Sequence, residues 1–196
     1  MQTYQNRMGC SVTPAQAARL IEVCKSSLNS SSYSKTTVQY AVILALSTGA
    51  RASEICSLRW DDFSHDFQRI TFRRAAWNRP GIKGSRNRKQ ESKNWRSCRL
   101  SSYVSHLSFL FSEYSTTPWV FPGHRYHITV DHFHKLVRDF SRKVHIPFTI
   151  HGLRRYYAQQ IYELTGDLTM VQLALGHSHV YVTRHYAAPK IPVISF

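Results

Sequence analysis

The sequence predicts a mainly α-helical domain with one small antiparallel β-sheet, an α+β arrangement, and three observations carry that prediction. Apolar residues recur at helical spacing over most of the chain, as in the stripe Phe133, Val137 and Phe140. Strand-like alternation is confined to one region, where Ile70 and Phe72 alternate with polar neighbours and Ser97 to Leu100 supplies a partner. Helix starts and stops punctuate the rest, with Thr13-Pro14 opening one helix and Gly49 and Gly176 closing others.

Taken in order, residues 1–12 form a polar N-terminal segment. Thr13-Pro14-Ala15-Gln16 then has the form of a capping box with proline at the first helical position, which predicts a helix to about Ser27. A serine-rich loop follows. The second helix should run from about Lys35 to Ser47, with Val38, Val42, Ala45 and Leu46 as its apolar positions, and Gly49 stops it. Arg51 therefore lies just past a helix end, ahead of a short helix that finishes near Leu58. Between the two strands lies PGIKGSRNRKQESKN, a long and strongly basic loop. Helices should resume over Ser102–Glu113, Thr129–Lys143, His151–Leu164 and Leu168–Leu175. Their stripes read as core.

Charge says more than size. The chain has 196 residues, enough to bury a core, and 26 Lys and Arg against 11 Asp and Glu give a net charge of +15. Such an excess favours a polyanionic partner, because each phosphate neutralised releases a counterion. No basic amphipathic helix or lipidation signal points to a membrane surface instead. The longest apolar run, Tyr40 to Leu46, is too short to span a bilayer. Cys10, Cys24, Cys56 and Cys98 are widely spaced, with neither a CxxC pair nor zinc-type histidine spacing, so a disulfide scaffold and a zinc site are both disfavoured. His124, His127, His132 and His134 lack convincing ligand partners, and no metal is expected. These points predict a cytoplasmic, nucleoid-associated protein.

The chemistry concentrates near the C-terminus. HGLRR is followed by LALGHSHVYVTRHYA, which brings His151, Arg154, His177 and Tyr186 into one stretch. His151 and Arg154, at i and i+3, share a helix face and could reach one phosphate. A guanidinium fork matches phosphate oxygens bidentately, an imidazole titrates near neutrality, and a tyrosine hydroxyl can act as a nucleophile in a cationic site. Arg155 competes with Arg154, and Tyr156, Tyr157, Tyr162 and Tyr181 compete with Tyr186.

With TGARASEI upstream (Thr48 to Ile55), these blocks resemble the catalytic domain of tyrosine recombinases, the phage-integrase family, from about Thr13 to Ala187. The resemblance implies a catalytic domain over 13–187 that cleaves and rejoins DNA at specific sites through a 3′-phosphotyrosyl intermediate, with neither metal nor cofactor. It assigns Arg51 from the TGxRxSE block, with Glu54 beside it. HxxR supplies His151 and Arg154, the LGH block supplies His177, and the tyrosine nine residues later, Tyr186, becomes the nucleophile. The segment SKNWRSCRLSS resembles the family's hairpin lysine and selects Lys93 as general acid, with Lys83 and Lys89 as competitors in the same loop.

Double-stranded DNA is the implied partner, and a homotetramer on DNA, monomeric in isolation, the implied assembly, as in mobile-element recombination. A type IB topoisomerase-like enzyme and a noncatalytic DNA-binding module are the alternatives. The chain opens almost at the catalytic domain, so it reads either as a piece of a longer integrase or as a minimal recombinase. The tail 188–196, with Ile191, Val193, Ile194 and Phe196, is expected to dock on a neighbouring subunit or on its own core.

Overall fold

A computed structural model describes residues 12–28, 33–72, 96–100 and 116–177. Six α-helices and a two-stranded sheet appear among them: α1 (Pro14–Leu28), α2 (Tyr33–Thr48), α3 (Ala52–Cys56), β1 (Arg69–Phe72), β2 (Arg96–Arg99), α4 (Val130–Lys143), α5 (Ile150–Thr165) and α6 (Leu168–Leu175). The predicted α+β class holds. The expected helix at 102–113, the basic loop, residues 1–11 and the tail 188–196 lie outside the described residues.

Local chemistry sets the element ends. The predicted capping box at α1 forms reciprocally, the Thr13 N–H donating to Gln16 Oε1 at 2.9 Å and the Gln16 N–H to Thr13 Oγ1 at 3.2 Å. Thr129, Thr149 and Asp167 cap α4, α5 and α6 by accepting from His132, Gly152 and Thr169. Gly166 and Gly176, both left-handed, end α5 and α6. A short 3-10 turn at Trp60–Asp62, not anticipated from the sequence, joins α3 to the sheet region.

Helix α2 is the hub. Residues 38–46 are all buried, so the helix is enclosed on every side instead of presenting one wet face. It packs against α1, α4 and α5, while α3 leans on α4 and α6 meets both α5 and β2. The strands pair antiparallel with Ile70 opposite Cys98 and Phe72 opposite Arg96. The stripe Phe133, Val137 and Phe140 is buried, as its spacing predicts. Among the described residues no helix is long and apolar enough to cross a membrane. The geometry that matters most is the convergence of the C-terminal ends of α2 and α6 with the start of α3.

Candidate active site

Helix C-termini leave carbonyls without intrahelical partners and carry negative partial charge. Where α2 and α6 end side by side, two buried arginines satisfy those carbonyls. Arg154, on α5, donates through Nη1 to Gly49 O and through Nη2 to Leu175 O at 2.8 Å. Arg96, the first residue of β2, donates through Nη1 to Thr48 O at 2.6 Å and to Ala174 O at 3.0 Å. Each guanidinium therefore ties the end of α2 to the end of α6. The cationic groups are stabilised in the interior by the helix ends that they cap.

A buried carboxylate completes the arrangement. Glu54, in the first turn of α3, accepts from Arg96 Nη2 at 2.9 Å, from the Arg51 N–H at 2.8 Å and from Arg51 Nη1 at 2.7 Å. Arg154 Nη1 stands 3.9 Å from it. Burial pushes the Glu54 carboxyl upward, but Arg96, the Arg51 N–H, and the Arg51 and Arg154 guanidiniums outweigh burial and hold it below the usual range. Three guanidiniums thus surround one carboxylate. The site keeps a net positive charge where an anion would sit.

Arg51, His151 and Arg154 line one open cleft of about 340 Å³, together with Ser53 and His134. Arg51, at the N-cap of α3, has a side chain 34% exposed, whereas Arg154 is 1% exposed, so Arg51 presents the more accessible guanidinium. His151 lies in the first turn of α5; partial burial, with Arg155 and Arg154 close by, pulls its pKa below the ordinary histidine value.

His177 is buried behind Arg154, its Nε2 lying 3.0 Å from Arg154 Nη2. An arginine can only donate, so Nε2 accepts, and the neutral ring carries its proton on Nδ1. Burial, followed by Arg154, Arg51 and Arg96, pushes the His177 pKa down to about 4. Gln172 fixes the backbone of His177 at both its N–H and its carbonyl. Four of the six residues expected from the sequence are thus gathered here. Lys93 and Tyr186 lie outside the described residues.

Sequence reasoning missed Arg96 and passed over His134. The signal for Arg96 was available: alternation along β2 puts it on the same inward face as Cys98, and it is buried while Ser97 and Arg99 are exposed. Its guanidinium also lies over the Phe72 ring, 4.3 Å from the centroid. His134 follows Phe133 of the α4 stripe, so one step around the helix carries it from the core to the cleft.

The family model of the phage integrase family matches residues 11–191. The chain is 24% identical over 180 residues to the tyrosine recombinase XerA of Pyrococcus furiosus, a match covering 90% of this chain and 56% of XerA. It is 30% identical over 157 residues to transposase A from transposon Tn554 of Staphylococcus aureus, covering 72% of this chain and 40% of the transposase. The crystal structure of XerA recombinase superposes with a TM-score of 0.71 at 21% identity, over 94% of this chain and 61% of that one. The Tn1549 transposon integrase in complex with transposon right end DNA gives 0.66 at 17% identity, over 92% and 62%. The chain spans about half the length of the curated relatives it matches. With the family model matched over nearly its whole length, the chain belongs to the phage integrase family.

Proposed function

We propose that residues 13–187 form the catalytic domain of a site-specific DNA recombinase that cleaves and rejoins double-stranded DNA by transesterification. The observation that carries this reading is the convergence of Arg51, His151 and Arg154 on one cationic cleft, with His177 bonded behind Arg154, in a chain of this family. Arg51 binds the nonbridging oxygens of the scissile phosphate directly. Arg154 adds buried positive charge and holds His177 through Nε2, and Nδ1–H is the group with which the ring would donate to the phosphate. Preorganised donors of this kind are worth most where charge develops.

In the reaction, the Tyr186 oxygen forms a bond to phosphorus and the bond from phosphorus to the 5′-oxygen breaks. His151, kept neutral at physiological pH by its lowered pKa, takes the tyrosine proton. Lys93 gives a proton to the departing 5′-oxygen. The 3′-phosphotyrosyl bond retains the phosphodiester energy, so attack by a 5′-hydroxyl from another strand completes the exchange without metal or nucleotide. Assembly as a homotetramer on DNA would bring the four strands together.

Trapping on a nicked suicide duplex tests the reading. The wild-type chain should form a covalent protein–DNA adduct, and Tyr186→Phe should abolish it with little change in DNA affinity. Loss of the adduct in Tyr181→Phe instead would move the nucleophile. Salt-sensitive binding without any wild-type adduct would leave the noncatalytic DNA-binding alternative.

A further inference from the structure

Arg96 and Arg154 are a matched pair. Arg154 takes Gly49 O and Leu175 O, and Arg96 takes the carbonyl one residue earlier on each helix, Thr48 O and Ala174 O. Only Arg96 also bonds Glu54 Oε2, at 2.9 Å, while Arg154 Nη1 stands 3.9 Å from the same oxygen. The aliphatic stem of Arg96 lies against Gly176, where an added Cβ would come within 3.1 Å of Arg96 Cδ. Gly176 is the residue before His177, so Arg96 touches both the carboxylate beside Arg51 and the turn that carries the histidine.

We infer that Arg96 is a positioning residue for Arg154: by occupying the Glu54 oxygen nearest to Arg154 and joining the ends of α2 and α6, it keeps Arg154 on Leu175 O and His177 instead of collapsed onto the carboxylate that Arg51 already holds from the other side. The physical reason is competition for one acceptor. Glu54 is a buried anion, and without Arg96 its Oε2 keeps only the Arg51 N–H while Arg51 Nη1 holds Oε1, so an under-neutralised oxygen in the interior draws the next cation to it. With Arg96 removed, Arg154 is close enough to become that cation, and a small shift toward Glu54 would take it from Leu175 O and His177 Nε2. Arg96 itself does not line the cleft. Its effect on chemistry passes through Glu54.

This inference rests on the transesterification reading above, and the test separates the two. Single-turnover adduct formation is measured for wild type, R96K, R96Q, E54Q and the R96Q/E54Q double variant, at saturating DNA and at a temperature where each is folded. R96Q should lower the cleavage rate by roughly a hundredfold, the scale of a displaced charge donor, with duplex affinity nearly unchanged. R96K, which keeps the charge but not the fork that spans two carbonyls and a carboxylate, should recover part of the rate. Removing the carboxylate's charge should relieve the competition, so the double variant should cleave at least several-fold faster than R96Q.

A folded R96Q that cleaves as fast as wild type would show that Arg96 only stabilises the fold, and R96Q and E54Q losses that simply multiply in the double variant would show that its effect does not pass through Glu54; either result overturns the inference. Should R96Q not fold, the His177 pKa followed by NMR in R96K decides: a wild-type value alongside a reduced cleavage rate would overturn it. Absence of an adduct from wild type would instead sink the underlying reaction.

Discussion

At the scale of single residues, the site separates two adjacent arginines that look alike in sequence. Arg154 is buried and bonded to two helix ends and His177, whereas Arg155 is half-buried. Arg154→Ala should therefore slow cleavage by roughly a hundredfold or more and also destabilise the fold by about 3–5 kcal/mol, because it strands buried carbonyls and exposes Glu54 to imbalance. Arg155→Ala should be much milder on both counts. Adduct kinetics and urea unfolding of the two variants check this, and equal losses would undo the assignment of Arg154. The histidines predict a pH dependence. The folded-state pKa of His177 is about 4, below the unfolded value near 6.5, and His151 shifts in the same direction. The unfolded chain then binds more protons between those values, so stability is fully present above pH 6.5 and is lost as pH falls toward 4. For the buried His177 the slope is up to about 1.4 kcal/mol per pH unit between those values. The depressed Glu54 carboxyl acts at lower pH, its stabilisation being present above the unfolded carboxylate pKa and lost as pH falls through the folded value. Urea unfolding from pH 7 to 4 should show a flatter dependence in His177→Asn than in wild type; identical slopes would mean that His177 is not held neutral.

At the scale of elements, glycines at the helix ends decide whether the site closes up. Gly49 and Gly166 both adopt left-handed φ, +62° and +66°, but their surroundings differ. A Cβ on Gly166 would meet nothing within 4 Å, while one on Gly49 would lie 2.5 Å from the Tyr157 ring and 3.0 Å from Leu175. Gly166→Ala should cost only the conformational penalty, about 1–2 kcal/mol, and leave cleavage intact. Gly49→Ala adds a clash that pushes α5 and α6 off the end of α2, and so should lose more stability and most of the cleavage rate. Denaturant midpoints and adduct rates for the two variants make the comparison, which fails if both behave alike. The same contrast explains what the sequence made legible. The helix start at Thr13 and the stops at Gly49 and Gly176 were readable because capping residues act within a few positions of themselves. The blocks around Arg51, His151, Arg154 and His177 were readable as a pattern. The pairing of helix ends was not, since Arg154 meets Gly49 across 105 residues and Arg96 meets Ala174 across 78. Local signals cannot report such contacts, and Arg96 looked like one more basic residue beside a basic loop.

At the scale of the whole molecule, the local and global electrostatics agree in sign. Beside the cleft, guanidiniums gather around a single carboxylate, and the chain as a whole has a net charge of +15. In the proposed function the cleft would supply a discrete phosphate position, and the wider charge an attraction that does not depend on sequence. Duplex DNA should therefore bind with a logarithmic affinity that falls linearly with log salt, by about 0.9 per phosphate neutralised. The cationic cleft and the net charge of +15 both act on phosphate, so these 196 residues should bind duplex DNA mainly through its backbone. Their dissociation constant alone should fall in the range of about 10⁻⁴ to 10⁻⁶ M at physiological salt, with little preference between sequences. Arg51→Ala removes one contact and should reduce the salt slope by about one phosphate's worth, while a charge reversal on α1, which contributes no residue to the cleft lining, should leave the contribution of the cleft unchanged. Titrations of specific and scrambled duplexes at several salt concentrations provide the check. Nanomolar, sequence-selective binding by this chain would show that it reads base sequence by itself, and binding indifferent to salt would remove the electrostatic argument from which the function was first inferred.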